Sequence, residues 1–190
     1  MKGMGKPLLP AAVLTVAMLL TGCPEITGVV FFRDDGLELS VRRALHKPLG
    51  LVTKADLLRL ESLDARDVGI RDLTGLEHAV NMSELNLAGN RISSIKTLAN
   101  LTELEVLNLD SNEVSDLTPL AGLLNLRSLS LFDNPVADIQ PLVTNALNGG
   151  LGFGDSVVLD IRTLSNRALE TDIPILEEEE VNVVLVEPQS

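Results

Sequence analysis

The sequence has one cysteine, no tryptophan, no tyrosine and only two histidines in 190 residues. A single thiol excludes an internal disulfide, so the fold must be held by packing. The aromatic content of 2% leaves Leu, Val and Ile to fill the interior, and the lack of Trp and Tyr counts against a carbohydrate ligand. Cations are also short: 15 Lys and Arg stand against 27 Asp and Glu, a formal charge of −12. Such a surface is repelled by phosphates, which excludes nucleic acid as a partner. Catalytic groups are equally scarce. His46 falls at the end of a predicted helix and His78 in a linker, so neither sits in a strand where a general base could meet a partner. The carboxylates lack the alternating spacing of a calcium loop. No catalytic residue, metal ligand or cofactor is assigned, and the chain is not expected to be an enzyme.

What is present begins with a signal. Lys2 and Lys6 precede an uncharged apolar run from about Pro7 to Leu20, which is short for a membrane span of roughly 20 residues and is followed by small residues. The run ends in Leu20-Thr21-Gly22-Cys23, which resembles a bacterial lipobox. That resemblance implies cleavage after Gly22, a diacylglyceryl group on the Cys23 thiol and an N-acyl chain, enough for stable anchoring in a bacterial cell envelope. Pro24, rather than Asp, follows the cysteine, as in Gram-negative lipoproteins of the outer membrane. Loss of Lys2 and Lys6 takes the formal charge from −12 to −14, so membrane contact is expected through lipid and not through a basic patch.

With the full sequence 45% hydrophobic, the remaining chain suits one domain with a real core. "LNLAGNRISSI" (Leu85 to Ile95), "LNLDSNEVSDL" (Leu107 to Leu117) and "LSLFDNPVADI" (Leu129 to Ile139) repeat at intervals of 22. Aligned on Asn90, Asn112 and Asn134, they give the pattern LxxLxLxxNxIxxIxxL. This resembles the leucine-rich repeat in the 22-residue form of internalin-like bacterial surface proteins. The resemblance implies an α/β solenoid with a parallel sheet on its concave face, each strand pointing two Leu residues inward. The Asn is expected to turn inward and satisfy turn backbone. A degenerate first repeat spans Leu63 to Leu76, and "VVLDIRTL" restores the pattern after "NGGLGFG", read as a flexible insertion that makes the interval from Leu129 to Val157 six residues longer than the repeat.

Both ends of a solenoid need caps. Leu37, Val41 and Leu45 share a helix face that Pro48 and Gly50 terminate, and Thr53 with Asp56 reads as a capping box. Leu169, Ile173 and Leu176 make a C-terminal helix face before a strand at "VNVVLV". The expected organisation is a signal peptide at 1–22, a lipidated linker at 23–31, a helical N-terminal cap at 32–60, leucine-rich repeats at 61–164 and a helix-plus-strand cap at 165–190.

Between the inward Leu columns lie positions that face solvent. Phe132, flanked by Val106, Val158 and Ile161 and rimmed by Asp110, Asp133 and Asp160, is expected to anchor a protein or peptide ligand unless it tucks under the glycine-rich loop. The candidate ligand-binding residues are Asn108, Asp110, Ser130, Phe132, Asp133 and Asp160, and the lipidation site is Cys23. The expected function is a lipid-anchored envelope module that binds a protein or peptide on the concave face. The alternative is a scaffolding lipoprotein without a discrete ligand.

Overall fold

The computed structural model describes residues 28–187; the predicted signal peptide, Cys23 and residues 188–190 lie outside the described part. Short strands recur every 22 residues as β1 Ser62–Asp64, β2 Glu84–Asn86, β3 Val106–Asn108 and β4 Ser128–Ser130, followed by the longer β5 Ser156–Asp160 and β6 Asn182–Val186. All six pair in parallel and in chain order. Successive strand residues point to opposite faces. Leu63, Leu85, Leu107 and Leu129 therefore go inward together, followed two residues later by Ala65, Leu87, Leu109 and Leu131. The return segments bury Ile70, Ile92, Val114 and Val136 and the two Leu/Ile columns behind them, giving one continuous hydrophobic cluster. Each fully buried Leu contributes about 1.5–3 kcal/mol relative to an exposed one.

The Asn column forms a ladder along the stack. Asn112 accepts from Ile92 N–H at 3.0 Å through Oδ1, and its Nδ2 donates to the Leu87 and Leu109 carbonyls, both at 2.9 Å. Asn90 serves Ile70 N–H and the Ala65 and Leu87 carbonyls in the same way, and Asn134 serves Val114 N–H and the carbonyls of Leu109 and Leu131. The Leu87 and Leu109 carbonyls are thus each held by two amides. The residue before each ladder position turns the chain in the left-handed region, with φ of +57° at Asp67, +69° at Gly89, +53° at Ser111 and +56° at Asp133. At Gly89 a side chain would also crowd the previous turn, since a Cβ would overlap the Asp67 carboxylate unless that side chain moved.

Short 3₁₀ helices, Leu76–His78, Lys96–Asn100 and Thr118–Leu120, carry the first three turns back across the solenoid. In the fourth turn α3, Gln140–Leu147, replaces them. This helix and the loop after it take up the six extra residues, and the loop is not the loose insertion expected from its glycines. Leu151 is buried, Gly150 packs so closely on Asn145 that a Cβ would clash, and Asn145 Oδ1 accepts from Leu151 N–H at 2.8 Å. Asn145 Nδ2 also donates to the Leu120 and Leu123 carbonyls of the previous turn, which moors the whole segment.

The caps follow their sequence signals closely. Helix α1, Asp35–Ala44, is N-capped by Asp34 and buries Leu37 and Val41, while α2, Lys54–Leu57, has Thr53 and Asp56 in a reciprocal capping box. The N-terminal cap starts earlier than residue 32, because Val29 bridges to Thr53 and Val30 is buried. At the far end a π-helical turn, Ala168–Asp172, runs into α4, Ile173–Glu178. Pro174 falls just past the π-helical turn, inside a helical run continuous from 166 to 178, so its missing N–H is lost from the helix and the widened turn ahead of it is where the strain is absorbed. Strand β6 then pairs with β5 over five residues.

Candidate functional site

The outward residues of the sheet form rows across the strands. Strand register places Ser62, Glu84, Val106, Ser128, Ser156 and Asn182 in one row and Asp64, Asn86, Asn108, Ser130, Val158 and Val184 in the next. Continuing two residues along, Phe132 lies level with Asp110 and Asp160. Val106 is therefore four residues away along the strand direction, about 13 Å from the Phe132 row. The expected apolar patch joining Val106 to Phe132 does not exist as one surface.

Several candidate residues are occupied by the fold. Asn108 Oδ1 accepts from Asp110 N–H at 2.9 Å, as Asn86 does from Ala88 N–H, because each strand ends in a turn whose second N–H needs an acceptor. Ser130 stands in that position in the fourth repeat. Asp110 of the neighbouring strand supplies the missing acceptor, with Oδ1 taking Phe132 N–H at 2.9 Å and Ser130 Oγ–H at 2.6 Å. Phe132 is half-buried and Asp133 is exposed in its left-handed turn. Asp160 was expected on the rim but is only 2% exposed, because β6 covers its strand, and its carboxylate is engaged by the Arg162 guanidinium and Arg162 N–H. That pairing holds the Asp160 carboxyl below the usual carboxylate range.

The more open part of this face lies over β1 to β3. A hollow of about 380 Å³ is lined there by Ser62, Asp64, Glu84, Asn86, Val106 and Asn108 among others. Val106 is 41% exposed within it, and it is the only apolar side chain in its row. Asp64 pairs with Arg66 at 2.7 Å, which lowers its carboxyl from the usual value. Glu84 Oε2 accepts from Ser62 Oγ–H at 3.4 Å. Val106, which interrupts an otherwise polar column of the repeat, is the signal in the sequence for this hollow. Of the candidate residues, only Asn108 borders it. Cys23 lies outside the described residues, and no cluster of three or more metal-ligating side chains occurs among the described ones. His46 and His78 lie in the cap and in the first 3₁₀ helix.

Residues 80–122, spanning β2, β3 and their return segments, match the family model of leucine-rich repeats in two copies. Among solved structures, an internalin (InlF) of Listeria monocytogenes is similar at 27% identity and a TM-score of 0.67, over 82% of this chain and 44% of that one. Internalin C2 of the same organism aligns at 21% identity and a TM-score of 0.39, over 86% of this chain and all of the other. The chain thus spans less than half the length of the internalin with the higher score. No curated protein matches the sequence significantly. The stacked 22-residue frame, the asparagine ladder, the repeat-family match and the likeness to InlF together make the chain an α/β leucine-rich-repeat solenoid, similar in fold to that internalin.

Proposed function

We propose that the protein is a lipid-anchored cell-envelope binding module that takes a protein or peptide ligand on its concave face, over β1 to β3. The observation that carries this reading is Val106, an exposed apolar side chain on the β3 side of the hollow with Glu84, Asn86 and Asn108 beside it, which pairs an apolar contact with polar groups as an anchor contact requires. Solenoids present such faces as extended binding surfaces. Asn108 and Glu84 supply amide and carboxylate groups around the anchor. The acidic repeats favour a ligand with basic groups, which would associate faster at low salt. Lipidation of Cys23 would fix the module to the membrane, and the Leu20 to Cys23 motif supports it.

Photo-crosslinking in intact cells tests the binding face. A photoreactive side chain at position 106 should give one discrete adduct that is lost with Glu84→Lys, whereas the same group at Ser115, exposed on the return side, should give none. Equal labelling from both positions, or none from 106, would refute the site. The anchor is tested separately: Cys23→Ala should abolish acyl labelling and membrane partition, and a variant that stays acylated and membrane-bound would refute lipidation.

A further inference from the structure

The net charge conceals a polarity along the solenoid. Residues 28–60 carry six basic and four acidic side chains, whereas residues 61–190 carry seven basic and twenty-two acidic, so the cap is +2 and the remainder −15. Three of the cap acids are engaged internally: Asp34 caps α1, Glu38 pairs with Arg42 and Asp56 pairs with Lys47. Arg33, Arg43, Lys54 and Arg59 are exposed and form no ion pair among the described residues.

The same end exposes large apolar side chains. Leu49 is 83% exposed and Phe31 74%, with Leu39 and Leu51 about half exposed. The antiparallel bridge of Val29 to Thr53 sets Phe31 opposite Leu51. Arg42 donates to the Lys47 and Gly50 carbonyls, which holds the loop bearing Leu49 against the end of α1. There Leu39, Arg43, His46 and Pro48 line a hollow of about 450 Å³. Apolar tips set among cations suit an interface with anionic headgroups, where both kinds of side chain are satisfied at once.

We propose that this cap face rests on the anionic phospholipid surface and that the solenoid stands away from it. The inference rests on the lipid anchor at Cys23. Gly28 follows that residue by five positions, so the tether cannot exceed about 18 Å. Within that distance the positive cap is drawn to the bilayer and the negative repeats are repelled. The concave face is thereby kept clear of lipid.

The test uses residues 24–190 with an N-terminal hexahistidine sequence in place of Cys23, bound to vesicles through a nickel-chelating lipid, so that tethering does not depend on acylation. An environment-sensitive fluorophore is attached through Leu49→Cys or, in a second protein, Phe153→Cys; Phe153 is 86% exposed in the loop after α3. On vesicles with about a third phosphatidylglycerol, the label at 49 should shift to the blue by 10 nm or more, on the order expected for entry into the headgroup region. The label at 153 should not shift. Arg43→Glu should halve the shift at least, and 0.5 M salt should reduce it likewise. No shift at 49, an equal shift at 153, or equal shifts on neutral phosphatidylcholine vesicles would overturn the proposal. Absence of acyl label in cells would instead remove the natural tether and leave the vesicle result standing.

Discussion

Replacing Asn112 with Leu removes one rung of the ladder and shows what the amide does. Asn112 is only 8% exposed, and its side chain accepts one backbone N–H and donates to three carbonyls. The carbonyls are buffered: Leu87 O keeps Asn90, and Leu109 O keeps Asn134. Ile92 N–H has no such reserve and is left unpaired in the interior, at about 1–3 kcal/mol. Loss of the net bonds to the carbonyls adds about 1 kcal/mol, for a total of roughly 2–4 kcal/mol. With a urea dependence of about 2 kcal/mol per molar, the unfolding midpoint of Asn112→Leu should fall by about 1–2 M. Asn125→Ala is the control, because Asn125 is exposed and donates a single bond, to Thr102 O at 2.9 Å. A midpoint for Asn112→Leu no lower than that of Asn125→Ala would refute the ladder as a source of stability.

Gly89→Ala should lower the stability from urea unfolding by about 1 kcal/mol, and adding Asp67→Ala should recover part of the loss, since the clash is with that carboxylate; no recovery would leave backbone strain alone as the cause. Asp56 titrates at about 2 in the folded chain, mainly through its bond from Lys47, below its unfolded value near 4. Its contribution is therefore present above pH 4 and is lost as the pH falls toward 2, amounting to about 1 kcal/mol after allowance for partial exposure. Asp56→Asn should flatten that part of the acid unfolding curve. Asp172, pushed up by burial, has the opposite sign, so Asp172→Asn should not lower the midpoint at pH 7. Asp110→Ala should destabilise by about 1–2 kcal/mol by freeing Phe132 N–H, and unchanged stability would return Asp110 to the list of residues available for a ligand.

The parts of the fold legible in the sequence were those where one residue type answers one local demand at a fixed interval. Leu at alternate strand positions, Asn at the ladder and Thr53 with Asp56 at a helix start each express a single constraint, repeated or self-contained. The fourth turn was not legible, because glycines in "NGGLGFG" signal conformational freedom and give no sign that Asn145 would order them from within. Asp160 was misplaced for a related reason: whether an outward strand residue is exposed depends on β6, which comes 22 residues later and follows no repeat. The Phe132 patch failed on register, since side chains near in the alignment can be four residues apart across the sheet. Asp110 shows a further limit. Its role in capping the next strand follows from Ser130 standing where Asn86 and Asn108 stand, a compensation visible only once the strands are laid side by side.

Because the Leu87 and Leu109 carbonyls are each shared between consecutive amides, every interior turn offers its successor the same donors and acceptors that it receives. A duplicate of residues 90–111 inserted after Ser111 would meet on both sides the partners that the original meets. The length of the protein is therefore adjustable in increments of 22 residues, each widening the sheet by about 4.8 Å, while both caps keep their neighbours. Such a chain can change the span of what it holds by recombination within its own coding sequence, without any new packing having to be invented.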